Sequence, residues 1–162
     1  MEEPTDQVGS PDWLPPDATP DEAYDDIIRR RQDLRGAMLR LEASVARSRR
    51  HEDWFGVVEE ALAGIADALR RHVAEVEAEN GFLEEVAAKA PRLTAAAELL
   101  RDEHRELEEV VWTAQAVAGT YGADPSQVRA EALEVITRLA NHRQNGADLL
   151  YDAYSLDLGG ED

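Results

Sequence analysis

The amino-acid sequence predicts an all-α protein, an antiparallel up-down-up-down four-helix bundle with an extended N-terminal arm. Alanine, leucine, glutamate and arginine dominate the chain, and only 6% of its residues are aromatic, a composition typical of helices rather than sheets. Apolar residues recur at intervals of three and four along four long stretches, which is the periodicity of amphipathic helices. Four such helices joined by short connections pack most simply as an up-down bundle.

The arm and the first helix are separated by a clear start signal. Residues 1–18 hold four of the seven prolines together with several acids, so we expect an extended or disordered segment there. The helix begins at Thr19, which supplies a capping hydroxyl, followed by Pro20 at the first helical position and Glu22 three residues after the cap. Its apolar stripe extends to about Ser48.

The second helix is predicted to begin at Asp53, a candidate N-cap, and to end near Asn80 and Gly81, a stop signal. Its apolar stripe is almost continuous. A connector with a short helical turn follows, and Pro91 opens the third helix.

The third helix is predicted to end at Gly119, and the fourth begins where Asp124 precedes Pro125. The sequence therefore divides into the arm, a helical bundle over residues 19–154, and a C-terminal tail over residues 155–162 that carries two glycines.

Length, charge and the lack of cysteine restrict the classes of function. The 162 residues fit one domain. Seventeen basic against 35 acidic residues give a formal charge of -18, which repels nucleic-acid phosphates and anionic lipids, so neither nucleic acid nor membrane is an expected partner. No cysteine is present, which excludes thiolate metal sites and a cysteine nucleophile. The N-terminus lacks the apolar run of a signal peptide, so a cytoplasmic protein is expected.

Three of the four histidines fall on predicted buried stripes, each on a different helix: His72, His104 and His142. The helical rise places His72 about 12 Å, and His104 and His142 about 18 Å, above one end of the bundle. These heights agree within the uncertainty of the helix ends, so the three rings are predicted to share one layer. Neutral imidazoles are the commonest metal ligands, and facing helices of a bundle can bring them to one ion. The fourth, His51, lies in a polar turn.

Carboxylates close to these histidines are candidates for the remaining ligands, because they would offset the charge of an ion. Glu108 lies four residues after His104, Glu75 lies three residues after His72, and Glu79 lies one turn beyond Glu75. With 35 acidic residues in the chain, some glutamates also fall near a histidine by chance.

The segments HVAEVEAENGFL, DEHRELEEV and LANHRQNGADLLY resemble the hemerythrin-like, or HHE cation-binding, family over about residues 21–154. The end of the chain, HRQNGADLLYDAYSLDLGG, is similar to that of bacterial hemerythrin-like proteins. The resemblance implies a non-haem di-iron centre that binds dioxygen or senses iron, oxygen or redox state. It also implies that His72, His104 and His142 are the metal ligands of helices 2, 3 and 4.

The sequence departs from the family pattern at two places. Arg31 occupies the position of the first helix's histidine, with Gln32 as the next candidate, and a guanidinium cannot ligate a metal. On helix 4, Gly146 and its neighbour stand where the family has a carboxylate. The nearest acid, Asp148, lies about 120° off the face of His142 and would reach inward only through a distortion such as a π-bulge. The resemblance therefore implies a partly degenerate site, with two irons or one.

A metal-free alternative explains the same residues. Arg31 would pair with Glu75 or Glu108, while the histidines hydrogen-bond to one another and to Tyr151 or Tyr154, and the protein would be a binding module with a protein partner. Haem ligation ranks last, because the stripes hold no run of small residues to seat a porphyrin. No nucleophile elbow or phosphate-binding loop is present, so the sequence favours a binding protein over an enzyme.

Overall fold

The computed structural model describes residues 20–48, 50 and 53–155, with only the helical backbone described for residues 20–31 and 154–155. The predicted arm, the capping residue Thr19 and the tail beyond Ser155 lie outside the described residues.

The described part of the chain consists of helices joined by turns and contains no strand, as predicted. Four long helices, α1 (Pro20–Ala46), α2 (Trp54–Val76), α4 (Thr94–Ala118) and α5 (Pro125–Ser155), correspond to the four predicted from the periodicity. The predicted helical turn between the second and third long helices is a helix of two turns, α3 (Phe82–Lys89), and a 3-10 turn (Pro91–Leu93) leads into α4. None of the described helices combines the length and apolarity needed to cross a bilayer.

The end of α2 differs from the prediction by about one turn. The helix ends at Val76, and Asn80 adopts a left-handed conformation with φ of 60°, which asparagine tolerates better than most residues. A Cβ atom on Gly81 would lie 2.8 Å from the carbonyl oxygens of Ala78 and Glu75. Asn80 and Gly81 therefore form the tight turn into α3 rather than the last turn of α2.

The two predicted aspartate caps behave differently. Asp124 Oδ1 accepts a hydrogen bond from the backbone N–H of Ser126 at 2.9 Å, at the start of α5. Asp53 precedes α2 but makes no side-chain capping bond. Its backbone carbonyl accepts a hydrogen bond from the N–H of Val57 at 3.0 Å. The prediction that the Asp53 side chain caps the helix was therefore wrong.

The long helices contact one another in a ring, because α1 packs on α2 and α5, and α4 packs on the same two helices. Their apolar stripes form one large core. A second, smaller apolar cluster lies where α3 packs on the other helices, and consists of Leu83, Val86, Ala97, Leu100 and Leu149.

The histidines lie between these two apolar clusters. On α4, His104 comes between Leu100 of the small cluster and Leu107 of the large core, and on α5, His142 comes between Leu139 and Leu149 in the same way. A polar layer thus separates two hydrophobic regions.

Candidate metal centre

The three predicted histidines come together, which confirms the predicted layer. One ring nitrogen from each of His72, His104 and His142 lies within 4.8 Å of the others. The ring centroids are 4.8–5.4 Å apart and all three pairs meet edge to face. Three helices, α2, α4 and α5, therefore direct one imidazole each at a common point.

Two of these rings are almost fully removed from solvent. His104 is 1% exposed and His142 is 5% exposed, whereas His72, near the end of α2, is half-buried. Buried polar atoms without a partner are costly, so the contacts of each ring nitrogen define the chemistry of the site.

His104 is oriented by Glu77, the first residue after α2. The Nδ1 atom of His104 lies 2.6 Å from Glu77 Oε1, and an ionised carboxylate only accepts hydrogen bonds, so Nδ1 donates. In a neutral ring the lone pair is then on Nε2. This Nε2 atom is buried and has no hydrogen-bond partner. It is an unsatisfied acceptor suited to a cation.

His142 is oriented in the same way by Glu103 of α4. Its Nδ1 donates to Glu103 Oε2 at 2.8 Å, and the other oxygen of Glu103 accepts from Asn145 Nδ2 at 2.6 Å. The Nε2 atom of His142 lies 3.2 Å from Nε2 of His72. Without an ion, His72 therefore donates to the lone pair of His142.

The surroundings of His142 favour the neutral form of its ring. Burial lowers the pKa of His142, the nearby His104 lowers it further, and the hydrogen bond that its ring donates to Glu103 opposes the change without reversing it. A neutral imidazole has the lone pair that a metal requires.

The geometry fits one metal ion. Two nitrogens that bind a tetrahedral ion at about 2.05 Å lie about 3.3 Å apart, close to the 3.2 Å between the Nε2 atoms of His72 and His142. A nitrogen of the third ring, His104, lies within 4.8 Å of nitrogens of the other two rings. Carboxylates that accept from the other ring nitrogen are the usual outer partners of metal-bound histidines.

The described part of the chain contains one converging group of potential metal ligands. There the three histidines are the only group of three or more potential ligands that converge. These three histidines therefore lie within reach of one ion.

The predicted carboxylates do not join the histidines. Glu108 and Glu79 are exposed, and Glu75 is half-buried on α2. Glu108 lies on the outer side of α4 because Leu107 and Val111 occupy the side that faces the core. Sharing a helix turn with His104 is thus not enough to place a carboxylate inward.

Asp148 does not reach the site either. The α5 helix continues without a π-bulge through Asn145 and Gly146, and Asp148 is exposed and accepts from Gln144 Nε2 at 2.8 Å. A Cβ atom on Gly146 would meet nothing within 4 Å. Open space therefore stands where the family resemblance implies a carboxylate.

The remaining predicted residues either lie outside the described side chains or are exposed. The side chains of Arg31 and Tyr154, and all of His51, lie outside the described residues, and Gln32 is exposed. Tyr151 is 71% exposed and follows His142 by nine residues, which is about 13 Å along a helix.

Sequence analysis missed Glu77 and Glu103. Glu77 accepts a hydrogen bond from a histidine 27 residues away, and Glu103 accepts one from a histidine 39 residues away. Spacing rules within one helix cannot detect such a pair, because the contact depends on how neighbouring helices are aligned.

Comparisons of the chain with protein-family models, with curated proteins and with solved structures found no match. The resemblance to hemerythrin-like proteins stays a prediction from the sequence.

Proposed function

We propose that the protein is a divergent hemerythrin-like antiparallel four-helix bundle that binds a single divalent first-row metal ion. Non-haem iron is the ion that the resemblance implies, and binding or sensing of dioxygen, iron or redox state is the corresponding function. The observation that carries the proposal is the convergence of three histidine nitrogens within 4.8 Å. The ring of contacts among the four long helices supports the bundle.

The buried Nε2 atom of His104 strengthens the case for a ligand. It has no hydrogen-bond partner, and an unsatisfied buried polar group costs about 1 to 3 kcal/mol. Coordination of a cation would remove this cost. His72, His104 and His142 would hold the ion, while Glu77 and Glu103 orient two of the rings.

The ligand set restricts the kind of ion. Imidazole suits zinc, copper, iron and nickel, whereas calcium and magnesium prefer oxygen ligands. A bound divalent ion would supply Lewis acidity and, if it is iron, one-electron chemistry. The open space at Gly146, four residues after His142, leaves room for a small ligand such as dioxygen.

Metal analysis of protein purified without a histidine tag tests the proposal. We expect about one ion per chain after loading with Fe(II), and a rise in melting temperature. His104→Ala should abolish binding, whereas His51→Ala, which changes the one histidine that is not a proposed ligand, should not. A metal content near zero with no change in melting temperature would contradict the proposal, and two ions per chain would contradict a mononuclear site.

The hydrogen bond between His72 and His142 favours a second candidate, in which the layer is a metal-free polar network within a protein-interaction module. In that case the melting temperature would not respond to any first-row metal or to chelator. Capture of a protein partner would be unaffected by chelator and lost when Arg31 is replaced by alanine.

A further inference from the structure

Glu77 connects the histidine layer to a part of the chain outside the four long helices. It is the first residue after α2 and begins the five-residue connection, residues 77–81, to α3. Its carboxylate is 28% exposed and bonds at 2.6 Å to the Nδ1 atom of His104, a side chain that is only 2% exposed. One hydrogen bond thus joins this connection to the buried centre of α4.

The connection has little freedom to absorb a movement of Glu77. Asn80 has a left-handed backbone, with φ of 60°, and its N–H donates to Glu84 Oε2 at 2.8 Å in α3. The N–H of Gly81 donates to the carbonyl of Ala78 at 2.7 Å, and Gly81 has no room for a Cβ atom. A tightly hydrogen-bonded turn transmits a displacement of Glu77 to α3.

The α3 helix is held by few contacts of its own. It has eight residues, and an isolated helix of that length is not stable in water. Leu83 and Val86 are its buried residues, and they pack in the small apolar cluster beyond the histidines. An element with so small a buried face belongs to the less stable part of a fold.

We propose that Glu77 is a positioning residue that couples occupancy of the three-histidine site to the order of α3; this inference rests on the metal binding proposed above. An ion on Nε2 of His104 withdraws electron density from the ring and makes Nδ1–H a stronger donor to Glu77. The connection and α3 are then held more firmly. By thermodynamic reciprocity, an ordered α3 raises the affinity of the site for the ion. The order of α3 therefore changes with the occupancy of the metal site.

Glu103 provides a matched control within the same chain. It orients His142 as Glu77 orients His104, but it lies inside α4 and its two partners, His142 and Asn145, lie in α5. Loss of its charge should weaken the site without releasing α3.

Hydrogen exchange of backbone amides, read by mass spectrometry with and without saturating Zn(II), tests the coupling. Zn(II) is the probe because it has no redox chemistry, and calorimetry measures its binding to each variant independently. In the wild-type chain we expect exchange over residues 82–89 to slow about fivefold or more on saturation. Glu77→Gln should bind Zn(II) more weakly and lose this protection, while Glu103→Gln should bind more weakly and keep it at saturation.

The outcomes separate the two proposals. Zn(II) binding that leaves the exchange of α3 unchanged, or full protection in Glu77→Gln, overturns the coupling and leaves the metal site intact. No binding of Zn(II) or Fe(II) to the wild-type chain overturns both.

Reciprocity gives a second measurement that does not depend on the exchange data. Val86→Ala loosens α3 at a distance from the site, and we expect it to raise the Kd for Zn(II) about fivefold in the wild-type background. In the Glu77→Gln background the same change should leave the Kd almost unaltered. Equal effects in both backgrounds would overturn the role of Glu77.

Discussion

At the scale of single residues, two glutamates determine which nitrogen of two buried histidines carries a proton. Glu77 and Glu103 each accept a hydrogen bond from Nδ1, of His104 and His142 respectively. The lone pairs are thereby placed on the Nε2 atoms. This arrangement prepares the rings for a cation before any cation is present, which lowers the reorganisation that binding requires.

The buried state of His142 predicts a pH dependence of stability in the metal-free protein. Its pKa is lowered in the folded chain, mainly by burial, so the unfolded chain takes up the proton first, near pH 6.5. Below that pH the unfolded state binds more protons, and the free energy of unfolding decreases as the pH falls. The contribution of His142 is fully present above about pH 6.5 and is lost below it.

Urea denaturation in the presence of a chelator, at about pH 7.5 and about pH 5.5, measures this effect. We expect the midpoint to be lower at the acidic pH. His142→Gln should show a smaller difference between the two conditions, since it removes the buried ring and leaves the groups around it, His72, His104 and Glu103, in place. A difference as large in the variant as in the wild type would count against this cause.

At the scale of the elements, the helix ends explain why similar sequence signals give different structures. Asp53 and Asp124 both precede long helices, yet only the Asp124 carboxylate makes a capping bond. We expect Asp124→Ala to lower the free energy of unfolding by about 1 kcal/mol. Asp53→Ala, the matched control, should cost less than about half of that. Thermal or urea denaturation compares the two, and equal losses would show that the carboxylate of Asp124 has no special role.

The glycine in α5 is a second test at this scale. A Cβ atom at Gly146 would meet no neighbouring atom, and alanine in a helix is favoured over glycine by about 1 kcal/mol. Gly146→Ala should therefore raise the melting temperature.

Gly81→Ala is the control for that substitution, because its Cβ atom would meet backbone carbonyl oxygens at 2.8 Å. We expect it to lower the melting temperature. Destabilisation by Gly146→Ala would instead indicate that the space beside His142 is filled by a group that the glycine accommodates.

At the scale of the whole molecule, the histidine layer lies between the large core and the small apolar cluster. Its three histidines come from α2, α4 and α5, so an ion bound by all three would link helices that are far apart in the sequence. Binding to the folded state alone stabilises it by mass action.

We therefore expect a metal concentration of about one hundred times the Kd to add about 2.7 kcal/mol to the free energy of unfolding. For a chain of this size the melting temperature should rise by roughly 5 to 10 °C. Calorimetry with Zn(II) and with chelator measures the difference. The melting temperature of His104→Ala should not rise when Zn(II) is added. An equal rise in that variant would mean that the ion binds elsewhere, such as on the acidic surface.

The helices and the histidine layer could be predicted because both follow from local rules. A period of three to four residues determines which face of each helix is buried, and the rise per residue determines the height of His72, His104 and His142. The carboxylate partners could not be predicted in this way. Glu108 and Asp148 share a helix with a histidine and still lie on exposed faces.

The sequence by itself determined an all-α fold class, four long helices and a shared level for three histidines, because each depends on periodicity within one segment. Only the tertiary structure decided that Glu77 and Glu103 orient these rings, that α5 passes Gly146 undistorted, and that α3 closes a second apolar cluster. The physical reason is that these contacts join residues of different helices. They depend on how neighbouring helices are aligned, and that alignment is determined by side-chain packing across the whole molecule.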